Sequence, residues 1–315
     1  MSLALLYPGQ GSQAVGMGKA LLEVSAAARG AFAEADEALG EQLSRLILEG
    51  PADELKRTRN TQPAILTMSV ACHRALEERG AFAKHTPAFV AGHSLGEYSA
   101  LVAAGAMGFA DAVRAVRARG AFMQEAVPEG QGAMAAVLGM EADAIRAVVD
   151  QASTADAYVA CANFNGPEQT VIAGSAKGVE SAAAALKAAG AKRVMPLPVS
   201  APFHCALMAP VKARLDDVLG KITFHAPRVP VVTNVEAKPN QDGARVRGLL
   251  VAQVTAPVRF TEIAQCMLGA GVTTFVEVGP GKALVGMVKR MSRDVKLLNV
   301  EDPKSLDETL AALAG

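Results

Sequence analysis

The chain has 315 residues, of which 51% are hydrophobic, and its 31 basic side chains balance 31 acidic ones. This length and apolar content suffice for a sizeable core in one large domain or two smaller ones. Because the net charge is zero, aromatic residues make up only 4% and Trp is absent, the composition argues against binding to nucleic acid or to a membrane surface.

The cysteines and the first residues of the chain indicate a cytoplasmic protein. The four cysteines are far apart, form no Cys-x-x-Cys pair and are interpreted as reduced thiols. They are Cys72, Cys161, Cys205 and Cys266. No basic segment typical of a signal peptide is present, and the most apolar stretch, residues 100–110, is too short and too rich in glycine to span a bilayer. We therefore expect no association with a membrane.

The first part of the chain predicts two buried strands, each followed by a loop that contains glycine. Residues 3–7 precede Pro8-Gly9-Gln10-Gly11, and residues 88–91 precede Gly92-His93-Ser94-Leu95-Gly96. Apolar content and spacing predict helices between and after these strands. The helices cover residues 16–24, 62–79, 97–104 and 111–126.

A different order of elements begins near residue 132. Strands are predicted at residues 133–138, 158–163, 170–173 and 193–199, with helices at 141–151 and 179–189. This β-α-β-β-α-β order is the ferredoxin-like pattern. We therefore predict a small inserted domain over residues 128–199, and a main domain formed by residues 1–127 and 200–315.

Strands and helices alternate again after the small domain. Helices are predicted at residues 205–219, 245–253 and 260–268, and strands at 229–234 and 274–278. The alternation predicts an α/β main domain with a largely parallel sheet.

Ser94 lies in a Gly-x-Ser-x-Gly motif between a predicted buried strand and a predicted helix. Glycines two residues away on either side let the backbone and the helix approach closely, and the turn lifts the hydroxyl to the top of the sheet. The N–H of Leu95 then points to where an oxyanion would form. This setting favours a nucleophile, whereas an ordinary serine in a glycine-flanked turn is the alternative.

His204 is the histidine best placed to act as the base for such a serine. It lies between the predicted strand that ends near Val199 and the predicted helix that begins at Cys205. Active sites of α/β proteins gather at the carboxyl edge of the strands, so position favours a general base over a packed histidine at a helix start.

The other four histidines have less suitable positions. His93 adjoins the serine on a tight turn, where neighbouring side chains point apart, so we expect a structural role. His73 is interpreted as a helix-surface residue, and His85 and His225 as residues of polar loops or element ends.

No acid completes a hydrolase triad in the expected chain order. Asp143, Asp150 and Asp156 lie in or beside helices of the predicted small domain. This leaves open a backbone carbonyl as the group that orients the imidazole, and it argues mildly against a lipase or esterase.

Arg119 and Gln10 are the candidate polar groups around the serine. Arg119 lies 25 residues after Ser94, and either belongs to a solvated helix face or faces the pocket, where it would clamp a substrate carboxylate. Gln10 leaves the first strand at the same sheet edge. Glycine-rich loops at this edge can bind phosphate, but this loop lacks a Walker lysine and the Gly-x-Gly-x-x-Gly spacing. A loop amide that completes an oxyanion hole therefore fits the sequence at least as well as a phosphate site does.

Taken together, these segments resemble the malonyl-CoA:acyl carrier protein transacylase family, to which the acyltransferase domains of fatty acid and polyketide synthases are similar. The matching stretches run almost end to end in family order. They are residues 7–13, 61–64, 92–100, 119–124, 163–165, 201–208 and 277–281. The resemblance implies an α/β-hydrolase-like core with a ferredoxin-like small domain. Tyr7 stands where phenylalanine is commoner in the family.

The resemblance also implies a role for each residue around the serine. Ser94 would carry the malonyl ester, His204 would be its base and then the acid for the leaving thiolate, and Arg119 would hold the malonyl carboxylate. Gln10 and the Leu95 amide would form the oxyanion hole.

Two further positions match the family pattern. Gln253 would orient the histidine through its backbone carbonyl, which accounts for the missing acid. Leu95 and Phe203 match the malonyl-type pattern rather than the methylmalonyl type, and Phe203 would narrow the space beside the substrate α-carbon.

The implied reaction is ping-pong transfer from malonyl-CoA to the phosphopantetheine thiol of an acyl carrier protein, without a metal or bound redox cofactor. We expect a monomer. A serine hydrolase and a non-catalytic carrier-binding module are the alternatives; Arg119 and the absent triad acid argue against the first, and the intact set of Ser94, His204 and Arg119 against the second.

Acyl carrier proteins are acidic, so docking to this neutral chain needs a local basic patch. The candidates are two basic pairs, Lys192-Arg193 and Lys289-Arg290, which would flank a cleft between the predicted domains. Two ordinary solvated pairs are the alternative.

Overall fold

Two sheets organise the chain in the computed structural model, which describes residues 2–83, 85–128, 130–199 and 201–314. The strands are β1 (Leu3–Tyr7), β2 (Phe89–Gly92), β3 (Gly132–Leu138), β4 (Val159–Gly166), β5 (Gln169–Ser175), β6 (Arg193–Pro196), β7 (Val231–Val232), β8 (Pro239–Asn240), β9 (Thr274–Val278) and β10 (Lys296–Val300). The larger sheet has the order β10-β9-β1-β2-β7-β8, and the smaller has the order β4-β5-β3-β6.

The larger sheet is parallel except for its last pair, β7 with β8. Alternate residues of β1 enter two different cores, Leu3 and Leu5 on one face and Ala4 and Leu6 on the other. Both faces are therefore covered, as is usual for parallel sheets, and each fully buried Leu contributes about 1.5–3 kcal/mol to the free energy of folding.

The helices lie around the two sheets. They are α1 (Lys19–Val24), α2 (Ala26–Leu39), α3 (Leu43–Glu49), α4 (Ala52–Lys56), α5 (Thr58–Glu78), α6 (Gly96–Ala103), α7 (Phe109–Glu125), α8 (Ala142–Ala152), α9 (Ala176–Ala188), α10 (Ala209–Leu219), α11 (Gly243–Gln253), α12 (Phe260–Gly269), α13 (Ala283–Met291) and α14 (Pro303–Ala314). No helix in the described ranges is long and apolar enough to cross a membrane.

The smaller sheet is antiparallel throughout, and α8 and α9 pack on it around a separate core. Its chain order and strand order are those of the ferredoxin-like pattern. The predicted fold class, an α/β core with a largely parallel sheet and a separate small sheet, is confirmed. The predicted domain boundaries after residues 127 and 199 stay predictions.

Several predicted elements differ in extent from those observed. The first helix begins at Lys19 rather than at residue 16, because Gly16 and Gly18 have positive φ. The strand predicted over residues 229–234 pairs only at Val231–Val232. Helices α2, α3 and α4 had no counterpart in the sequence analysis.

The interpretation of His73 as a helix-surface residue is wrong. Its side chain is buried beneath β1, and its Nδ1 lies 2.9 Å from the hydroxyl oxygen of Tyr7. The hydroxyl at this position therefore gives the buried imidazole a hydrogen-bond partner, which it needs once water is excluded.

Candidate active site

The turn between β2 and α6 holds Ser94 in a left-handed backbone conformation, with φ of 52°. A Cβ atom at Gly92 would lie 2.0 Å from the carbonyl carbon of Gly96, and one at Gly96 would lie 2.0 Å from the carbonyl oxygen of Tyr7. Both glycines are thus required by the close approach of strand and helix. The register places Tyr7 opposite Gly92, so the loops that carry Gln10 and Ser94 leave the sheet side by side.

Asn234 fixes this turn from the adjoining strand. Its Oδ1 accepts the backbone N–H of Ser94 at 2.6 Å, and its Nδ2 donates to the carbonyl of Gly92 at 2.7 Å. Sequence reasoning missed this residue, although its place just after β7, at the carboxyl edge of the sheet, was a signal for it.

His204 lies directly against the serine. Its Nε2 is 2.6 Å from Ser94 Oγ, and its Nδ1 is 3.0 Å from the backbone carbonyl of Gln253. A carbonyl only accepts, so Nδ1 carries the proton and Nε2 is free to accept the Ser94 hydroxyl. Burial, helped by the nearby Arg119 cation, lowers the pKa of His204 to about 3, which keeps the imidazole neutral.

The Gln253 carbonyl belongs to the last residue of α11. Carbonyls in the last turn of a helix have no partner within the helix and lie at the negative end of its dipole. A carbonyl in this position orients the His204 ring and favours the imidazolium, as a triad acid would.

Arg119 faces the site and not the solvent, since its exposed fraction is 1%. Its Nη1 donates to Gln62 Oε1 at 2.8 Å, and its Nη2 donates to Gln253 Oε1 at 2.9 Å and to Ser94 Oγ at 3.1 Å. Its buried Nε has no hydrogen-bond partner in the described ranges. The hydrogen-bond partners of the guanidinium in the described ranges are Gln62, Gln253 and Ser94, none of which is a carboxylate. Gln62 lies in α5, within the matching stretch of residues 61–64, and the sequence alone predicts no role for it.

These groups meet at a cavity of about 100 Å³. It is lined by Gln10, Gln62, His93, Ser94, Leu95, Arg119, Met123, Met134, Asn163, Leu197, Val199, Phe203 and His204. The loops that follow β1 and β2 of the large sheet line it together with residues of β3 and β4 of the small sheet, so the cavity lies where the two sheets meet. Gln253 lies behind its wall, where it contacts Arg119 and His204.

The two candidate oxyanion groups border the cavity beside the serine. The Leu95 N–H, at the start of α6, has no hydrogen-bond acceptor in the part of the chain that the structure describes. The Gln10 side chain donates to Thr58 Oγ1 at 3.3 Å. His93 also lines the cavity, but its Nε2 lies 2.8 Å from Asn165 Oδ1.

The four basic residues proposed for docking are exposed and line two other clefts. Lys192, Arg193 and Arg290 border one of about 660 Å³, together with Glu141 and Glu168. Lys289 and Arg290 border the second. Arg290 Nη1 donates to Gln169 Oε1 at 2.5 Å, which joins α13 to the small sheet.

The site can therefore deprotonate a hydroxyl with a neutral imidazole beside a buried cation. Within the described ranges, no group of three or more His, Cys, Asp or Glu side chains is arranged to hold a metal ion.

The chain is similar to known proteins over nearly its whole length. Residues 4–306 match the family described as acyl transferase domain. A relative from Bacillus subtilis (strain 168), named malonyl CoA-acyl carrier protein transacylase, is 50% identical and covers 99% of this chain and 97% of its own.

Two solved structures agree with this chain in fold. An acyl carrier protein S-malonyltransferase from Vibrio cholerae has a TM-score of 0.94 at 45% identity, over 98% of this chain and 99% of that chain. A chain from the structure of a type II PKS acyl-carrier protein in complex with its malonyl-transacylase has a TM-score of 0.95 at 44% identity, over 99% of this chain and 100% of that chain.

Proposed function

Because the chain belongs to the acyl transferase family that its motifs predicted, we propose that it transfers malonyl groups from malonyl-CoA to an acyl carrier protein. The intermediate is a malonyl ester on Ser94. The observation that carries this proposal is the buried Arg119 guanidinium, which lies 3.1 Å from Ser94 Oγ and has no carboxylate partner of its own in the described ranges. A cation buried there favours an acyl group that brings a carboxylate.

In the first half-reaction, His204 Nε2 takes the proton of Ser94 as Oγ attacks the thioester carbonyl of malonyl-CoA. The negative charge of the tetrahedral intermediate falls on the former carbonyl oxygen, which the Leu95 N–H and Gln10 stabilise. The imidazolium is held through Nδ1–H by the Gln253 carbonyl. It then protonates the departing CoA thiolate, leaving the malonyl ester.

The second half-reaction reverses these proton transfers. His204 removes the proton of the carrier's phosphopantetheine thiol, the thiolate attacks the ester, and Ser94 recovers its proton when the C–O bond breaks. Arg119 holds the malonyl carboxylate throughout. Phe203, which lines the cavity, narrows the space beside the α-carbon and disfavours branched malonyl groups.

The carrier reaches the site by docking on the basic residues around the two clefts. The similarity to a malonyl-transacylase solved with its acyl-carrier protein supports such a partner. Arg290 supports it too, because it links α13 to the small sheet beside Lys192 and Arg193. A cytoplasmic location, a monomeric state and independence from cofactors stay predictions.

Intact-mass spectrometry tests the mechanism directly. Malonyl-CoA alone should add one malonyl group to the protein, and a holo carrier should then remove it and gain the same mass. Ser94→Ala should give no adduct while it keeps the fold. Ser99→Ala is a matched control, since Ser99 is buried in α6, the helix that follows Ser94, and its hydroxyl has no partner in the described ranges.

An adduct that persists in Ser94→Ala would contradict the assignment of the nucleophile. Steady release of malonate without a carrier, at the rate of transfer, would instead indicate a thioesterase.

A further inference from the structure

Glu97 is a buried carboxyl beside the site that the reaction above does not use. It lies in the first turn of α6 with an exposed fraction of 2%. Its Oε2 accepts Gln253 Nε2 at 2.7 Å and the backbone N–H of Asn234 at 3.1 Å. No Lys or Arg of the described ranges forms an ion pair with it. Its two partners are the residues that hold His204 and Ser94 in place.

The contact with Glu97 determines which way the Gln253 amide faces. An arginine only donates hydrogen bonds, so the oxygen of that amide must face Arg119 and its nitrogen must face away. The nitrogen then donates to Glu97 and to the backbone carbonyl of Ser94, the latter at 3.0 Å. Without an acceptor at residue 97, the Gln253 amide keeps only its weaker contact, the one with the Ser94 carbonyl, in this orientation. A flip of the amide would place its NH2 group against the Arg119 guanidinium, two donors facing each other.

The second contact supports the nucleophile. Glu97 accepts the backbone N–H of Asn234, whose side chain bonds the Ser94 N–H and the Gly92 carbonyl. One carboxyl thus supports both the arginine side and the serine side of the cavity.

We propose that Glu97 is a positioning residue that fixes the Gln253 amide against Arg119 and so sets the preference for malonyl over uncharged acyl groups. The inference rests on the function proposed above.

The acceptor does not depend on full ionisation. Burial raises the pKa of Glu97 to about 7, against the lowering effects of Gln253, Asn234 and Arg119. In the protonated form, Oε2 still accepts while the other oxygen carries the proton. The proposed role is therefore one of hydrogen-bond geometry.

The test is the ratio of kcat/KM for acylation by malonyl-CoA to that by acetyl-CoA. Glu97→Ala should lower this ratio about 10-fold or more, the effect of losing a buried hydrogen bond to a charged group. Glu97→Gln keeps an acceptor oxygen and should stay within about threefold of the wild type. Ser99→Ala is the control on the same helix and should leave the ratio unchanged.

A double-mutant cycle separates positioning from general destabilisation. Gln253→Met should lower the ratio by itself, and Glu97→Ala should lower it no further in that background. Glu97→Met fills more of the same volume and replaces Glu97→Ala if that variant does not fold.

Several outcomes would overturn the inference. They are an unchanged ratio in folded Glu97→Ala or Glu97→Met, additive effects in the cycle, and a loss in Glu97→Gln as large as in Glu97→Ala. A wild-type protein that transfers no malonyl group would contradict the proposed function instead, so the two failures can be told apart.

Discussion

Positive charge is buried in the cavity around Ser94 and exposed on the basic rim. The rim is formed by Lys192, Arg193, Lys289 and Arg290. Arg119 is 1% exposed and is held by bonds of 2.8 to 3.1 Å. The Lys192 side chain is 73% exposed and lies 3.7 Å from Glu168. Water and salt screen the rim charges strongly and screen Arg119 little.

Because they differ in exposure to solvent, Arg119 and the rim cations should have different effects on the reaction. A buried guanidinium is costly unless an anion pairs with it, so it can discriminate between acyl groups. Exposed cations mainly increase the rate of encounter with an acidic partner, and each contributes little free energy. Selectivity for the acyl group should thus depend on the cavity, and recognition of the carrier on the rim.

Replacing Arg119 should have the largest effect on this contrast. Arg119→Ala removes the partner of the malonyl carboxylate, which is worth roughly 2–5 kcal/mol, so malonyl transfer should fall about 30-fold or more relative to acetyl transfer. The measurement is kcat/KM for each acyl-CoA. Arg114→Ala, at an exposed position of the same helix, should change neither. Equal losses for both acyl groups in Arg119→Ala would mean that Arg119 is only structural.

The pH dependence of acylation tests the buried state of His204. The base must be neutral, and a pKa of about 3 instead of 6.5 keeps it neutral as the pH falls. The rate should therefore not fall tenfold per pH unit between pH 6.5 and about 4, as it would for an exposed histidine. Quench-flow measurements of kcat/KM after brief pH jumps give the profile.

The jumps must be brief because the same pKa difference weakens the fold in acid. Below pH 6.5 the unfolded chain binds a proton at His204 that the folded protein does not, so the stability contributed by this group falls as the pH drops toward 3. In Arg119→Met the pKa should rise, since the cation is one cause of its lowering. The pH at which kcat/KM for acetyl-CoA falls in acid should then be higher than in the wild type. An unchanged pH would contradict the effect of Arg119 on the pKa of His204.

The sequence predicted the parts of the cavity that depend on local pattern. The strand at residues 3–7 and the glycines around Ser94 have strong local signals, because a buried run and a tight turn limit which residues fit. Position among the predicted elements already made His204 a candidate base and Arg119 a candidate carboxylate partner. The family resemblance then favoured these roles and added Gln253, which is distant in sequence.

Other features depend on contacts that no local pattern encodes. The place of Asn234 just after β7 is a local signal, but the hydrogen bonds of Asn234 and Glu97 form only when β7 and α11 pack against the turn. Burial of His73 in α5 is accompanied by a contact with the Tyr7 hydroxyl of β1, 66 residues away in sequence. Helices α3 and α4 escaped prediction because they are short; α4, for example, buries only Leu55. Helix α2 does bury residues at helical spacing (Ala28, Ala31, Phe32 and Ala35), so its absence from the prediction has no such reason.

Reversing the rim charges should give the smallest effect. Substituting Glu at Lys192, Arg193, Lys289 and Arg290 should raise the carrier's KM by about fourfold or more at low salt, since exposed charges contribute roughly 0.2 kcal/mol each at the low end of their range. Part of the attraction is already offset, because Glu141 and Glu168 line the same cleft. Acylation by malonyl-CoA should change less, apart from any contact with the CoA phosphates.

Salt separates a docking surface from a general charge effect. The wild-type KM for the carrier should rise with ionic strength, whereas the reversed variant should show a flatter dependence, because screening removes an attraction that the variant has already lost. A matched control reverses four exposed cations that line neither cleft: Arg45, Arg79, Lys221 and Lys304. The control changes the net charge equally, so any larger effect of the rim variant reflects position. An unchanged carrier KM at low salt, or an equal change in both variants, would mean that the carrier docks on another surface. The four rim residues would then have no role in recognition of the carrier.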